Sequence, residues 1–309
     1  MINKCPITYT FCGAAKFSSE GLKKLSPKLQ TLHDLKLDSN DLRQEAMLRA
    51  AKISIQGVQP KLSAKINVKK QEFEIVDIKG KFIIKPQTDY PELPENEDLS
   101  MHLAEVAGFK VPLHGLFYAR DQSMVYFIER FDRMGHRKIA TEDFAQLAGE
   151  NRDTKYNYSM ERLVTLIDKF CTFPVIEKSE LFKRTVFNYL IGNEDMHLKN
   201  FSVITDDGLT KLAPIYDFVN STIVLRDAEE IALPINGKKR GITRKLLTDY
   251  FGLERLRLEQ KVIDEHLMTF KRAMPDFFDW IDRSFLSTQY KEKYKALMSK
   301  RASILLIDS

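Results

Sequence analysis

Asp195, Asn200 and Asp217 carry the strongest chemical signal in the chain. The first two lie in Ile191-Gly192-Asn193-Glu194-Asp195-Met196-His197-Leu198-Lys199-Asn200-Phe201. Helical spacing from Ser179, which reads as an N-cap, stops at Gly192, a residue suited to a left-handed helix end. A short polar loop follows. After it come a strand from Phe201 to Thr205, a turn at Asp206-Asp207-Gly208 and a return strand from Leu209 to Ala213. Folding the strands back returns Asn200 and Asp217 to the same end, so Asp195, Asn200 and Asp217 can converge. Phosphoryl transfer uses such a trio: one aspartate takes the hydroxyl proton, while an Asn and an Asp hold Mg²⁺ on the phosphates. The interval of five from Asp195 to Asn200 is also that of the kinase catalytic loop. His197, two residues past Asp195, can position that carboxylate or assist the terminal phosphate. Taken alone, a polar turn whose Asp and Asn only satisfy backbone groups accounts for the same residues.

Phosphate handling needs two further parts, a strand lysine for the α- and β-phosphates and a helical carboxylate that orients it. Lys85 closes the strand Lys81–Lys85 and shares a face with Ile83. Glu97, near the start of the following helix, is its expected partner, with Glu105 as the weaker alternative. The ordinary readings are a solvated lysine blunting an edge strand and a first-turn glutamate on the helix dipole. Upstream, Ser54-Ile55-Gln56-Gly57-Val58-Gln59-Pro60-Lys61 holds one glycine among small and polar residues. Its backbone N–H groups can approach phosphates; on its own it reads as a plain loop before a strand.

The elements that must hold these residues are legible as two regions. Leu22, Leu25, Leu29 and Leu32, then Leu42, Ala46 and Arg49, have helical spacing. Strands are expected at Leu62–Val68, Phe73–Ile78 and Lys81–Lys85, with a tight hairpin at Lys79-Gly80 and a stop at Pro86. A helix follows from Glu95 to Gly108, and a short strand at Tyr126–Ile128 leads into Glu129-Arg130-Phe131-Asp132. Beyond Thr141 the spacing is mostly helical: Glu161–Phe170, Ser179–Ile191, Arg244–Phe251, Leu258–Met274 and Thr288–Leu306. The expected division is a strand-rich region over residues 1–130 and a helical one over 131–309.

Composition narrows the class. The chain has 309 residues, 43% hydrophobic and 29% charged, which suits a folded globular protein with a large core. Its 48 basic and 43 acidic residues leave a net charge of +5, too small and too dispersed to argue for nucleic acid. No run approaches the roughly 20 apolar residues of a membrane span, and no apolar stretch follows Lys4 to make a secretory leader. Cys5, Cys12 and Cys171 are too few and too scattered for a disulfide framework. Cys5 and Cys12 lack the neighbours a zinc site needs. A cytoplasmic protein is expected.

Taken together the blocks resemble the HipA-like toxin kinases, and most of all the short HipT-type members of split, three-component toxin–antitoxin systems. The resemblance runs from about Ser54 to beyond Asp217. It rests on Ser54–Lys61, Phe82-Ile83-Ile84-Lys85-Pro86, Asn96-Glu97, Glu129-Arg130-Phe131-Asp132-Arg133, Glu142-Asp143-Phe144-Ala145-Gln146, Gly192–Asn200 and Pro214-Ile215-Tyr216-Asp217. That many blocks in the family's order are far more specific than any one of them. The resemblance implies an α+β, two-lobed, protein-kinase-like fold that phosphorylates serine or threonine with ATP and Mg²⁺. Asp195 would be the base, assisted by His197, and Asn200 and Asp217 the metal ligands. Lys85 and Glu97, the loop residues Ser54, Gln56, Gly57, Val58 and Gln59, and Lys199 would serve ATP. Glu129 and Phe131 would flank an interlobe hinge that contacts adenine mainly through backbone atoms.

The family's partners are implied in the same way. They are a protein substrate such as an aminoacyl-tRNA synthetase, a helix-turn-helix antitoxin, and DNA only through that antitoxin. About 50 residues precede Ser54, where longer relatives carry a subdomain, so a small separate protein is expected to stand in for it. In this family the serine matching Ser54 is autophosphorylated, and a charge of about −1.5 to −2 beside the ATP phosphates would repel them. Asp217-Phe218-Val219 lacks the glycine of the usual D-F-G, a departure the family tolerates. A second class of function, a nucleotide-binding module that tightens DNA repression through an antitoxin without phosphotransfer, has thinner support in the basic turn Lys238-Lys239-Arg240. A phosphotransferase of the aminoglycoside type shares the Asp-x-His-x-x-Asn loop but not the Ser54–Lys61 block.

Overall fold

A computed structural model describes residues 3–49, 59–135, 137–150, 158–224 and 229–306. It divides into two compact units, one of residues 1–99, 112–130 and 283–286, the other of 100–111, 131–282 and 287–309. Helix α3 (Leu93–Val106) begins in the first and ends in the second.

The first unit opens with a small ribbon, β1 (Asn3–Lys4) with β2 (Phe11–Gly13), and two helices, α1 (Ser19–Leu25) and α2 (Ser39–Arg49). Ser18 caps α1 by accepting from the Gly21 N–H, as a serine before a helix should. Five antiparallel strands follow: β3 (Leu62–Asn67), β4 (Glu72–Ile75), β5 (Phe82–Lys85), β6 (His114–Tyr118) and β7 (Met124–Glu129), in spatial order β4-β3-β5-β7-β6. Phe73, Phe82, Phe117 and Phe127 interlock on one face, with Phe73 and Phe117 centroids 4.4 Å apart. Leu22, Leu25, Leu29, Leu32, Leu35, Leu42 and Ala46 join the same buried cluster. The spaced leucines of the first 50 residues are therefore the cover of this sheet. Offset aromatic pairs add about 1 kcal/mol each beyond the area they bury.

Four expectations change here. Strands β4 and β5 both pair with β3 and not with each other, so Lys79-Gly80 is a connection across β3 and not a hairpin. The second strand stops at Ile75, and Ile78 is exposed in the turn that follows. Gly80 is required there because a Cβ would sit 1.9 Å from Ser63 Oγ. Strand β6 was not anticipated; it reads poorly because His114 and Gly115 interrupt its alternation. Finally, β5 lies in the middle of the sheet, so Lys85 is not an edge residue.

The second unit carries a short ribbon, β8 (Arg133–Met134) with β9 (Arg137–Lys138), and a three-stranded sheet of β10 (Ala140–Asp143), β11 (Ser202–Asp206) and β12 (Leu209–Leu212). The β11–β12 turn uses Asp207 and Gly208 at φ 48° and 77°, the paired left-handed conformation of a tight hairpin. Its helices are α4 (Phe144–Ala148), α5 (Met160–Phe170), α6 (Pro174–Ile191), a wide π-type turn at Leu246–Arg255, α7 (Gln260–Arg283) and α8 (Thr288–Leu305). Phe187 of α6 anchors the core against Phe109, Phe218, Phe270 and Phe277.

Ser179 is not a cap. Helix α6 starts at Pro174, whose fixed φ and missing N–H suit the first turn, and Ser179 Oγ lies 2.8 Å from His266 Nε2. Helix α7 does not stop before Pro275 but continues through it to Arg283. Among the described residues no helix is long and apolar enough to cross a membrane, and the three cysteines are free thiols.

Candidate active site

Helix α6 ends where its sequence says it must. Gly192 adopts φ 79° and its N–H caps the carbonyls of Asn188 and Tyr189. A Cβ at that position would meet Leu297 at 2.5 Å and Asn220 Oδ1 at 2.6 Å, so no other residue fits without displacement. The chain then runs through Asp195 and a single 3₁₀ turn, Leu198–Asn200, into β11. Asn193, His197 and Asn200 each have a positional task along this loop. Asn193 Oδ1 accepts from the Asp195 N–H at 3.2 Å, and its amide nitrogen donates to Asn188 Oδ1 at 3.0 Å. Asn200 Nδ2 donates to the Asp195 carbonyl at 2.9 Å, which leaves its side-chain oxygen as an acceptor. His197 is buried; its Nδ1 caps the 3₁₀ turn by accepting from the Lys199 N–H, and its Nε2 lies 3.8 Å from Asp195 Oδ1.

Asp217 is tied to this loop on both sides. One residue before it, the Tyr216 hydroxyl donates to the Lys199 carbonyl at 3.0 Å and pairs with Ser202. Burial pushes that phenol well above its ordinary pKa; the Ser202 contact opposes the shift, and the Asp217 and Asp143 charges add to it. Past Asp217, Ser221 Oγ accepts from the Glu194 N–H at 2.7 Å, and the Thr222 N–H donates to the Gly192 carbonyl at 3.1 Å. The β11–β12 hairpin makes both ties possible by pairing Val203 with Leu212 and Ser202 with Ala213. Asp217 itself has φ 56°, a left-handed conformation that costs a non-glycine residue roughly 1–2 kcal/mol. Backbone strain of this kind gathers at functional positions. Phe218, directly after it, is buried against Phe187 and Phe109 and holds the segment in place.

In the first unit, Lys85 Nζ meets Glu97 Oε1 at 2.5 Å, and both side chains are almost wholly buried, 2% and 3% exposed. Glu105 is not the partner. Next to Glu97, Asp98 accepts from the Tyr9 hydroxyl at 2.8 Å and lies 2.7 Å from His114 Nδ1, all three groups being buried. These contacts fix the turn of α3 that carries Glu97. Glu129 ends β7 with its N–H on the Leu113 carbonyl and its carboxylate 2.9 Å from Lys81. In the second unit Phe131 stacks obliquely on Tyr216, centroids 5.4 Å apart. Gln59 is half-buried ahead of β3, whereas Ser54, Gln56, Gly57 and Val58 lie outside the described residues.

Sequence reasoning did not single out Glu194, Tyr216, Thr222 or Arg301. Glu194 and Tyr216 adjoin residues it did choose; Arg301 lies 107 residues from Glu194, and only the folded chain brings it near.

The comparisons with known proteins give the family and the fold. A putative kinase of Haemophilus influenzae is 31% identical over 242 residues, covering 73% of this chain and 70% of that protein. The serine/threonine-protein kinase toxin HipA of Shewanella oneidensis is 28% identical over 207 residues, covering 60% of this chain and 47% of the toxin. The chain thus spans about half the length of that relative. A solved HipA from Shewanella oneidensis, in complex with HipB and its operator DNA, superposes with a TM-score of 0.69 over 82% of this chain and 65% of that one, at 24% identity. The fold is accordingly the two-lobed, protein-kinase-like α+β one. Residues 53–277, which include Lys85, Glu97, Asp195, Asn200 and Asp217, match the HipA-like C-terminal domain, and the chain belongs to that family.

Proposed function

We propose that the chain is an ATP- and Mg²⁺-dependent serine/threonine protein kinase acting as the toxin of a toxin–antitoxin system. The observation that carries the reading is the buried pair between Lys85, on the central strand of the sheet, and Glu97 of α3. Buried ion pairs stabilise little, because the loss of hydration offsets most of their attraction. A lysine held this way has a different use: it presents a fixed positive charge to phosphate oxygens. In the second unit Asn200 and Asp217 offer hard oxygen donors of the kind magnesium prefers, and they would hold the ion on the phosphates. When bound, that ion supplies positive charge against the phosphates. Asp195, its backbone held by Asn193 and Asn200, accepts the substrate hydroxyl's proton. His197 keeps Asp195 in place, and Lys199 serves the nucleotide. Glu129 and Phe131 frame the adenine-binding hinge between a lobe of residues 1–130 and one of 131–309.

The remaining parts of the proposal follow the family. Ser54 is the autophosphorylation site, where added negative charge opposes nucleotide binding, and Gln56, Gly57, Val58 and Gln59 complete the phosphate loop. The partners proposed are a translation component such as an aminoacyl-tRNA synthetase, a helix-turn-helix antitoxin and, as in HipT-type systems, a small separate protein. The HipB and operator DNA bound to the Shewanella HipA support the antitoxin. The setting proposed is the cytoplasm. The test is transfer of label from γ-³²P-ATP to protein, with phosphoproteomics after inducible expression to find the substrate. Asp195→Gln should abolish transfer while nucleotide still binds. Nucleotide binding with no transfer by the unaltered chain would refute the kinase and favour a regulatory module.

A further inference from the structure

Arg301, on the inner face of α8, reaches four separate segments with one guanidinium, the outermost contact being Nη1 to the Glu230 carbonyl at 3.5 Å. Its Nη1 donates to the Tyr189 carbonyl in the last turn of α6 at 2.6 Å. Its Nη2 lies 3.1 Å from Glu194 Oε1 and 3.4 Å from the Thr222 hydroxyl. That hydroxyl is in turn 2.5 Å from Glu194 Oε1 and 3.0 Å from the Gly192 carbonyl oxygen. Both charged side chains are 5% exposed.

We infer that Arg301 and Glu194 are positioning residues: their ion pair clamps the Asp195 loop to the segment following Asp217, and so sets the rate of phosphate transfer. The inference rests on the kinase reading above. Glu194 directly precedes Asp195, and Thr222 is five residues beyond Asp217, so one buried charge pair connects the two reactive stretches. Neither side chain belongs to the phosphate or metal set, so both act through the backbone they hold.

Stability alone does not explain a buried Arg–Glu pair, since well-packed apolar residues of similar volume commonly serve as well or better. Geometry does explain it. The planar fork meets a carbonyl, a carboxylate and a hydroxyl in fixed directions, which neither an aliphatic side chain nor a lysine ammonium can do. The rest of the loop has no slack: Gly192 has no room for a Cβ, and Asn193 fixes the Asp195 N–H. A shift of Glu194 therefore carries Asp195 with it. Displacements near 1 Å at a reacting group can lower rates about a hundredfold.

The experiment compares the full chain with Arg301→Lys and with the double variant Glu194→Gln/Arg301→Met. The double variant removes both charges together and leaves none buried without its counterpart, so it folds even where the single variant does not. Four quantities are measured: turnover of γ-labelled ATP at saturation, affinity for a fluorescent ATP analogue, melting temperature, and hydrogen exchange over residues 192–200. The expected result is turnover lowered about ten- to a hundredfold in the folded variants, analogue affinity within about twofold, and faster exchange at the Glu194 and Asp195 amides. Turnover within about twofold of the unaltered chain in a folded variant would overturn the clamp, as would a loss matched entirely by weaker analogue binding. An unaltered chain that turns over no ATP refutes the kinase reading instead, so the two failures are distinguishable.

Discussion

Replacing Glu97 by Gln separates what the Lys85–Glu97 pair does for stability from what it does for function. The side chain keeps its shape, but the charge beside a lysine that is 2% exposed is gone. Removing one member of a buried ion pair typically costs about 3–5 kcal/mol, because the remaining charge stays in the core without its counter-charge. For a domain of this size each kcal/mol lowers the melting temperature by about 2–4 °C, so the unit holding the sheet should melt about 6–20 °C earlier. The double variant Lys85→Met/Glu97→Leu removes both charges and leaves apolar surface beside the Tyr126 ring. Its expected stability is near that of the unaltered chain. Phosphate transfer should be lost in the double variant nonetheless, since no ammonium remains for the phosphates. Calorimetry and γ-³²P transfer read the two effects separately. A Glu97→Gln protein melting within about 2 °C of the unaltered chain would refute the energetic argument; a double variant that transfers phosphate normally would refute the role of Lys85.

Three further outcomes are expected. Tyr9→Phe removes a donor 2.8 Å from the buried Asp98 carboxylate and should destabilise the first unit by about 1.5–3 kcal/mol in urea unfolding, with an unchanged m value. Burial, with the Glu92 and Asp98 charges adding to it, raises Glu95 from 4.5 to about 7. The folded state then holds a proton that the unfolded chain gives up, so the contribution of Glu95 to stability is fully present below about 4.5 and is lost as pH rises towards 7, by at most about 3 kcal/mol. Glu95→Gln should flatten that slope, and an unchanged slope in a pH series of melting temperatures would count against it. Asp217→Gly relieves the strain at φ 56° while removing the carboxylate. Its stability should stay within about 1 kcal/mol of the unaltered chain while transfer falls at least a hundredfold; a large loss of stability would show that Asp217 is chiefly structural.

Local features were the readable ones. The α6 stop at Gly192, the loop to Asn200 and the Asp207-Gly208 hairpin follow from left-handed glycines and alternating apolar residues within some 25 positions. Strand β10 escaped notice: Ala140–Asp143 has no apolar alternation and becomes a strand only because β11 pairs with it. Ser179 misled because a serine ahead of a helical run looks like a cap, whereas the exposed Phe173 before Pro174 at the start of α6 gives a weaker signal. Pro275 misled likewise, since the packing of Phe270, Ala273 and Phe277 sustains a helix through a residue that usually ends one. Tyr9 with Asp98 and His114, and Arg301 with Glu194, are long-range pairs of ordinary residue types, and no spacing rule points to them.

The dependence of the Asp195 loop on α8 has a consequence during synthesis. Asp195 leaves the ribosome more than a hundred residues before the arginine that steadies its neighbour Glu194. A nascent chain, or one cut short by a nonsense mutation between positions 217 and 301, carries the proposed phosphate-handling residues from Lys85 to Asp217 and yet lacks the brace. On the proposed kinase reading, such a fragment would transfer phosphate slowly, and the full rate would wait on the last helix.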